Sequence, residues 1–136
     1  MKKIRSVGLI VENSEGEILA LLRRDDKSEG NKWGLVAGRI ERKEPKEEAI
    51  IREAYEETRL VIQTKDLDFI GFFKWLRDNL IIEFTVYKLE VETNTEIVTS
   101  DDEFKNYMWI SPKTLAKRSD LRQGLHDVLE TIYKIT

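Results

Sequence analysis

The sequence predicts an α+β fold, a mixed β-sheet covered by α-helices, and three observations carry that reading. Extended and helical patterns alternate in the order β-β-helix-β-β-β-helix, which suits neither a helical bundle nor a pure β-sandwich. The extended runs are rich in β-branched and aromatic residues. The helical runs are apolar along one side only, so each has a sheet face to cover.

The elements follow in chain order. "VGLIVENSEGEILALLRR" reads as two strands around Asn13-Ser14-Glu15-Gly16, a turn signal. "EGNKWGLVAGRIERKEP" contains Gly30, Gly34 and Gly38 and ends on Pro45, so it reads as loop with a short extended piece at Leu35-Val36. Pro45 suits the first turn of a helix, where its missing N–H is harmless. From Lys46 the pattern is helical. Ile50, Ile51, Ala54, Tyr55 and Thr58 form a docking face, and Glu53, Glu56 and Glu57 are expected on another face, roughly 140° round. "LDFIGFFKW" and "LIIEFTVYKLEV", joined at Asp78-Asn79, predict a second hairpin, and "NYMWI" a further strand. Ser111-Pro112 signals a helix start. Ser119 is expected to cap the last helix, with Leu121, Leu125, Val128, Leu129 and Ile132 as its apolar stripe.

Composition narrows the function classes. The 136 residues suit a single domain spanning 1–136, with 40% apolar and 36% charged residues. A net charge of −3 with mixed signs is no footprint for nucleic acid or an anionic membrane. Neither partner is expected, and an anionic substrate must be met by local cations. The absence of cysteine excludes disulfides, thiolate catalysis and cysteine-rich zinc sites. The apolar run Val7–Val11 is too short for a signal peptide, and no apolar stretch approaches the roughly 20 residues that cross a bilayer. A cytoplasmic location is the expectation.

The chemistry concentrates in "REAYEETRL", residues 52–60. Glu53, Glu56 and Glu57 stand three and four apart, where like charges on a helix repel by about 0.2–0.5 kcal/mol per pair. One reading is a solvated face, relieved by the i,i+4 pairs of Arg52 with Glu48 and Glu56. The other is a cation among the carboxylates. Glu41 and Glu44, in the loop entering the same helix, favour the second. Hard oxygen donors without cysteine or nearby histidine select Mg²⁺ or Mn²⁺ over zinc. Such an ion would neutralise phosphate charge and activate water. Arg52 would orient a carboxylate or bind phosphate.

These residues also resemble a known signature. Gly38, five residues, Glu44, seven residues, then Arg52-Glu53-Ala54-x-Glu56-Glu57-x-Arg59-Leu60 is similar to the Nudix box. The likeness extends less strictly over the whole chain, in the layout of MutT-like members. It implies the Nudix fold, a sheet sandwiched between helices (α/β/α). It also implies Mg²⁺- or Mn²⁺-dependent hydrolysis of a nucleoside diphosphate linked to another group. By that resemblance Glu53, Glu56 and Glu57 are metal ligands, one of them or a loop acid is the general base, and Glu44 and Arg52 support them. The backbone at Ala37-Gly38 adds a carbonyl ligand. Glu103, in "SDDEFKNYMWI", is the candidate for a further glutamate from a later loop, with Asp102 its rival. Homodimers are common among similar proteins.

Two departures stand out. Arg59 occupies a position where the pattern has a left-handed glycine, a conformation costing other residues about 1 kcal/mol. Val36-Ala37 replaces the usual Pro-Gly, which questions the tightness of the loop. Candidate substrate cations are Arg23, Arg24 and Arg39, all equally suited to being surface solubilisers, and Lys32 shares the Gly-bearing loop. Trp33 can stack on a base or anchor the core. Phe72, Phe73 and Trp75 read mainly as core, one of them free to line a base pocket. His126 is the only histidine and stands outside the acid cluster, so the base is expected to be a carboxylate. Some Nudix subfamilies with other substrates carry a proline-rich or tyrosine marker beyond the box; with neither residue between Leu60 and Leu80, the resemblance leaves a nucleoside triphosphate as the default substrate. The rival reading is a non-catalytic Nudix-fold module that senses a nucleotide.

Overall fold

The computed structural model describes residues 1–135. Its strands are β1 (Lys2–Glu12), β2 (Ile18–Arg23), β3 (Trp33–Gly34), β4 (Val36–Arg39), β5 (Asp68–Arg77), β6 (Leu80–Glu90) and β7 (Phe104–Ile110). The helices are α1 (Lys46–Thr58), α2 (Pro112–Ala116) and α3 (Leu125–Tyr133), with a 3₁₀ turn at Thr64–Asp66.

β1 is the axis of the mixed sheet. It runs parallel to β6 from Lys2–Leu80 to Glu12–Glu90. On its other edge it meets β2 only at Glu12–Ile18, the base of the hairpin. There Asn13 Oδ1 accepts the N–H groups of Glu15 and Glu17, and Gly16 takes the positive φ the turn needs. β2 then leaves β1 to pair with β3 and β7. The vacated edge receives β4, antiparallel, with Val7 opposite Gly38 and Gly8 opposite Ala37. A glycine-bearing segment is thereby fixed at the middle of the sheet.

Period-two alternation divides the core. Val7, Leu9, Val11, Leu19 and Leu21 face one side, where Ala49, Ile50 and Ala54 of α1 cover them. Ile10, Ile18 and Ala20 face the other, under Leu115 of α2 and Leu125, Val128 and Leu129 of α3. Each fully buried aliphatic side chain contributes about 1.5–3 kcal/mol. The two layers make the expected sandwich.

Five local expectations are corrected. The extended piece placed at Leu35-Val36 is two strands, β3 and β4, with Leu35 between them. Pro45 stands just before α1 with extended ψ, not inside its first turn. Tyr55 is half exposed rather than docked. α3 begins at Leu125 after a left-handed Gly124, not after Ser119. Leu121 is buried but lies outside that helix, because its backbone pairs with Trp33 and extends the sheet. By contrast Ser111 caps α2 as predicted, its Oγ accepting the Thr114 N–H.

Candidate active site

The acids of α1 do not share one exposed stripe, and helix geometry explains why. Glu57 stands seven residues after Ile50, a rotation about 20° short of two full turns, so it points with the docking side. Glu53 lies roughly 60° from Ile50 and Glu56 roughly 120°. Exposure follows that order: Glu57 is 2% exposed, the Glu53 side chain 12% and the Glu56 side chain 50%. The expectation of a separate face roughly 140° away is corrected for Glu57 above all.

The buried end of this gradient meets β4. Glu57 Oε1 accepts the Ala37 N–H at 3.1 Å. The Glu53 carboxylate lies directly over Gly38, where an added Cβ would stand 2.1 Å from its Cδ. Only glycine admits that approach. Val36 and Ala37 are both held in the ladder with β1, so the loss of Pro-Gly leaves this backbone ordered.

Arg52 binds the acids from the solvent side. Its Nε and Nη2 donate to both oxygens of Glu44, at 2.8 and 3.0 Å. Nη1 donates to Glu53 at 2.9 Å and Glu56 at 3.4 Å, and Nη2 also reaches the Arg39 carbonyl at 3.1 Å. The Arg52–Glu56 pair forms as expected, while Glu44 takes the place expected for Glu48. Hydrogen bonds from Arg52, then the Glu41 N–H, hold the Glu44 carboxyl below its ordinary range. Burial pushes Glu53 up, against the opposing pull of Arg52. Glu57 is pushed well up, first by burial and then by the Glu53 charge beside it.

The loop before β7 completes the surroundings. Val98 N–H donates to the Thr58 carbonyl and Ser100 N–H to the Glu57 carbonyl, at 3.2 and 3.3 Å, satisfying the end of α1. That docking brings Glu103 close enough for its charge to raise Glu57 further. Glu103 also pairs with Arg23 at 3.7 Å. Asp102 is exposed. Arg24 turns away to Asp26 and the Asp101 carbonyl. Arg59 adopts the left-handed φ of 64°, its N–H donating to the Tyr55 carbonyl and its guanidinium lying 5.1 Å from the Tyr55 ring. The helix therefore ends as a glycine would end it.

Beyond Gly38 opens a cleft of about 300 Å³. Ala37, Gly38 and Arg39 form its edge towards α1, and Trp75, Phe84 and Arg77 of the second hairpin line another side. Trp33 is not there: it is 7% exposed in the second core, with Arg118 over its ring, so stacking on a base is corrected to an anchoring role. Sequence reasoning also missed Glu29, Arg122 and Gln123, which line the cleft. Their contacts join residues more than 90 positions apart. The only local signal was the turn-like "EGN" at 29–31.

The donor set fits a hard cation. Two adjacent carboxylates, one almost fully buried, face each other, and among the described residues Arg52 is their one cationic hydrogen-bond partner. Among the described residues no three acidic or histidine side chains already converge as a ligand group, and the Arg52 guanidinium stands between Glu53 and Glu56. Among the described residues no helix is long and apolar enough to cross a membrane.

Comparison with known proteins agrees with this architecture. The family model described as NUDIX domain matches residues 2–132. An RNA pyrophosphohydrolase of Zymomonas mobilis is 30% identical over 125 residues, covering 80% of this chain and 79% of its own. A MutT protein from Methanosarcina mazei superposes with a TM-score of 0.84 at 23% identity, covering 98% of this chain and 94% of its own. The Escherichia coli dihydroneopterin triphosphate pyrophosphohydrolase superposes at 0.76 with 18% identity, over 96% and 95%. These last two show likeness of fold.

Proposed function

The chain belongs to the Nudix hydrolase family, and from that premise we propose a magnesium-dependent pyrophosphohydrolase that cleaves a nucleoside triphosphate to the monophosphate and pyrophosphate. Hydrolysis of nucleoside-diphosphate-linked substrates is the family's shared activity; the triphosphate and the metal are the finer reading. One observation carries it. The acid-rich side of α1 and the cleft share a wall, Ala37-Gly38-Arg39, so a diphosphate on that wall lies beside Glu53 while its nucleoside enters the cleft.

In this reading Glu53, Glu56 and Glu57, with the Ala37-Gly38 backbone, hold Mg²⁺ or Mn²⁺. The ion would supply charge neutralisation on the phosphates and a more acidic water. Arg52 and Glu44 orient Glu53 and set the spacing of the carboxylates. In this reading Glu103, tethered by Arg23, would take the water's proton, since no histidine lies among these residues. Arg39 faces the phosphates, whereas Arg24 belongs to a surface pair. A retained surplus of acids argues against a non-catalytic sensor.

The experiment is a magnesium titration by calorimetry followed by pyrophosphate release from a panel of nucleoside triphosphates. Release that requires the metal is the expected result, and metal binding without release from any substrate sinks it. The name of the Zymomonas relative favours a second reading, in which the same chemistry acts on RNA. A 5′-triphosphorylated oligoribonucleotide therefore belongs in the panel, and its preference over free nucleotides would overturn the expectation that nucleic acid is no partner.

A further inference from the structure

Among the residues lining the cleft, Glu29 is the one acid, set among Arg39, Arg77 and Arg122. Arg122 already neutralises it, so its remaining oxygen lone pairs suit neutral N–H donors rather than phosphate. We propose that Glu29 is a specificity-determining residue that reads the N–H donors of the nucleobase, favouring guanine over uracil. The inference rests on the reading above only for where the phosphates lie.

The carboxylate is held in a built position. Glu29 and Asn31 both take left-handed φ, 54° and 61°, a conformation that costs a non-glycine residue about 1–2 kcal/mol. What holds the loop in that shape reaches across the cleft mouth. Glu29 Oε1 accepts the Gln123 N–H at 2.7 Å and Oε2 accepts Arg122 Nε at 3.2 Å. The Arg122 segment is itself fixed to the sheet, its N–H donating to the Trp33 carbonyl at 2.8 Å. A carboxylate offers about four lone-pair sites, so two acceptor sites remain for a ligand. Burial pushes the carboxyl up, but the Gln123 N–H and the Arg122 guanidinium outweigh it and keep the group below its ordinary range. Glu29 is therefore an acceptor without a proton to donate at neutral pH.

An indole lines the same cleft. The Trp75 ring packs against Gly124, where an added Cβ would stand 3.0 Å from the ring, and Trp75 Nε1 donates to Asp127 at 3.0 Å. That fixed indole, stacked with Phe73, lines the cleft, and a base set against it would leave its edge to Glu29. Guanine presents two adjacent donors, N1–H and the 2-amino group. Adenine and cytosine present one amino group beside a ring acceptor. Uracil presents a single N–H flanked by carbonyls that a carboxylate repels.

The test is Glu29→Gln, which keeps the shape and replaces one acceptor by a donor. The ratio of kcat/KM for GTP to that for UTP is expected to fall about tenfold, within the discrimination a paired contact to one base provides. If both substrates weaken together and the ratio holds, Glu29 is only a latch and the proposal is overturned. Wild-type enzyme checks it without a variant: ITP, lacking the 2-amino group, should be cleaved several-fold less efficiently than GTP, and parity overturns it. Calorimetry with GMP and UMP in the absence of metal separates this inference from the catalytic one. Tighter GMP binding lost in Glu29→Gln, in a protein that cleaves nothing, supports the base contact and sinks the hydrolase reading. Turnover with no base preference does the reverse.

Discussion

One assembly of arginine with acid stands over Gly38 and another lines the cleft, and they are built on opposite principles. On α1, Arg52 alone lies within 4.0 Å of Glu41, Glu44, Glu53 and Glu56, and Glu57 crowds in from the buried side. At the cleft mouth, Arg122 meets the single acid Glu29 and a backbone N–H completes the match. The first is short of positive charge and the second is balanced. A surplus of carboxylates, partly stripped of water, is a site that a cation improves. A balanced pair is already stable and serves to hold a shape. Both contain glutamate and arginine, so residue type alone does not separate them; stoichiometry and burial do.

The largest expected effect breaks the first assembly. Glu53→Gln and Glu57→Gln should each lower metal-dependent turnover by more than the roughly 10–100-fold typical of a supporting residue, with the fold intact by circular dichroism. Near-normal pyrophosphate release in either variant would remove that residue from the site. Glu44→Gln, which loosens Arg52 without removing a proposed ligand, should fall within that roughly 10–100-fold range. A loss as large as that of Glu53→Gln would show that the supporting role is understated.

Stability separates the assemblies by the sign of their pH dependence. Glu57 is raised, so its contribution to metal-free stability is fully present below the unfolded carboxylate range and is lost as pH rises through its folded value. Glu29 is lowered, so its contribution is present above that range and is lost as pH falls through its folded value. Metal-free Glu57→Gln should therefore melt about 2–5 °C above wild type at neutral pH, the shift expected for about 1 kcal/mol in a domain of this size. Magnesium should erase the advantage by stabilising only the wild type. Melting curves in which Glu57→Gln is the less stable protein at neutral pH would contradict an acid surplus. The smallest effect concerns neither assembly: Arg59→Gly relieves a left-handed residue but loses the stack on Tyr55, so it should stabilise by at most about 1 kcal/mol with turnover unchanged.

The sequence was most legible where the physics is local. Alternating apolar residues placed β1, β2, β5 and β6, and Asn13–Gly16 announced its own turn. Arg59 shows the limit of such rules in a useful direction, because a residue poor for left-handed backbone still adopts it when the helix must end there. Where partners are far apart the reading failed. Trp33, adjacent to a glycine-bearing loop, looked available for stacking, yet pairing of its backbone with Leu121 carries it into the core. Ser119 had the chemistry of a cap, but the same pairing holds residues 120–122 extended and delays the helix to Leu125.

From residues alone came the layered α+β arrangement, the helix bearing the acids, and the hard-oxygen chemistry of an acid cluster without cysteine. Periodicity and donor type are properties of neighbouring positions, and they survive any packing. What tertiary structure decided was which of those acids lies in the dark, that Gly38 is the floor beneath Glu53, and that Glu29 and Trp75 share a cleft. These depend on strands and loops brought together across dozens of residues. Burial and charge balance arise only from that meeting, since a side chain's solvent is chosen by whatever folds over it.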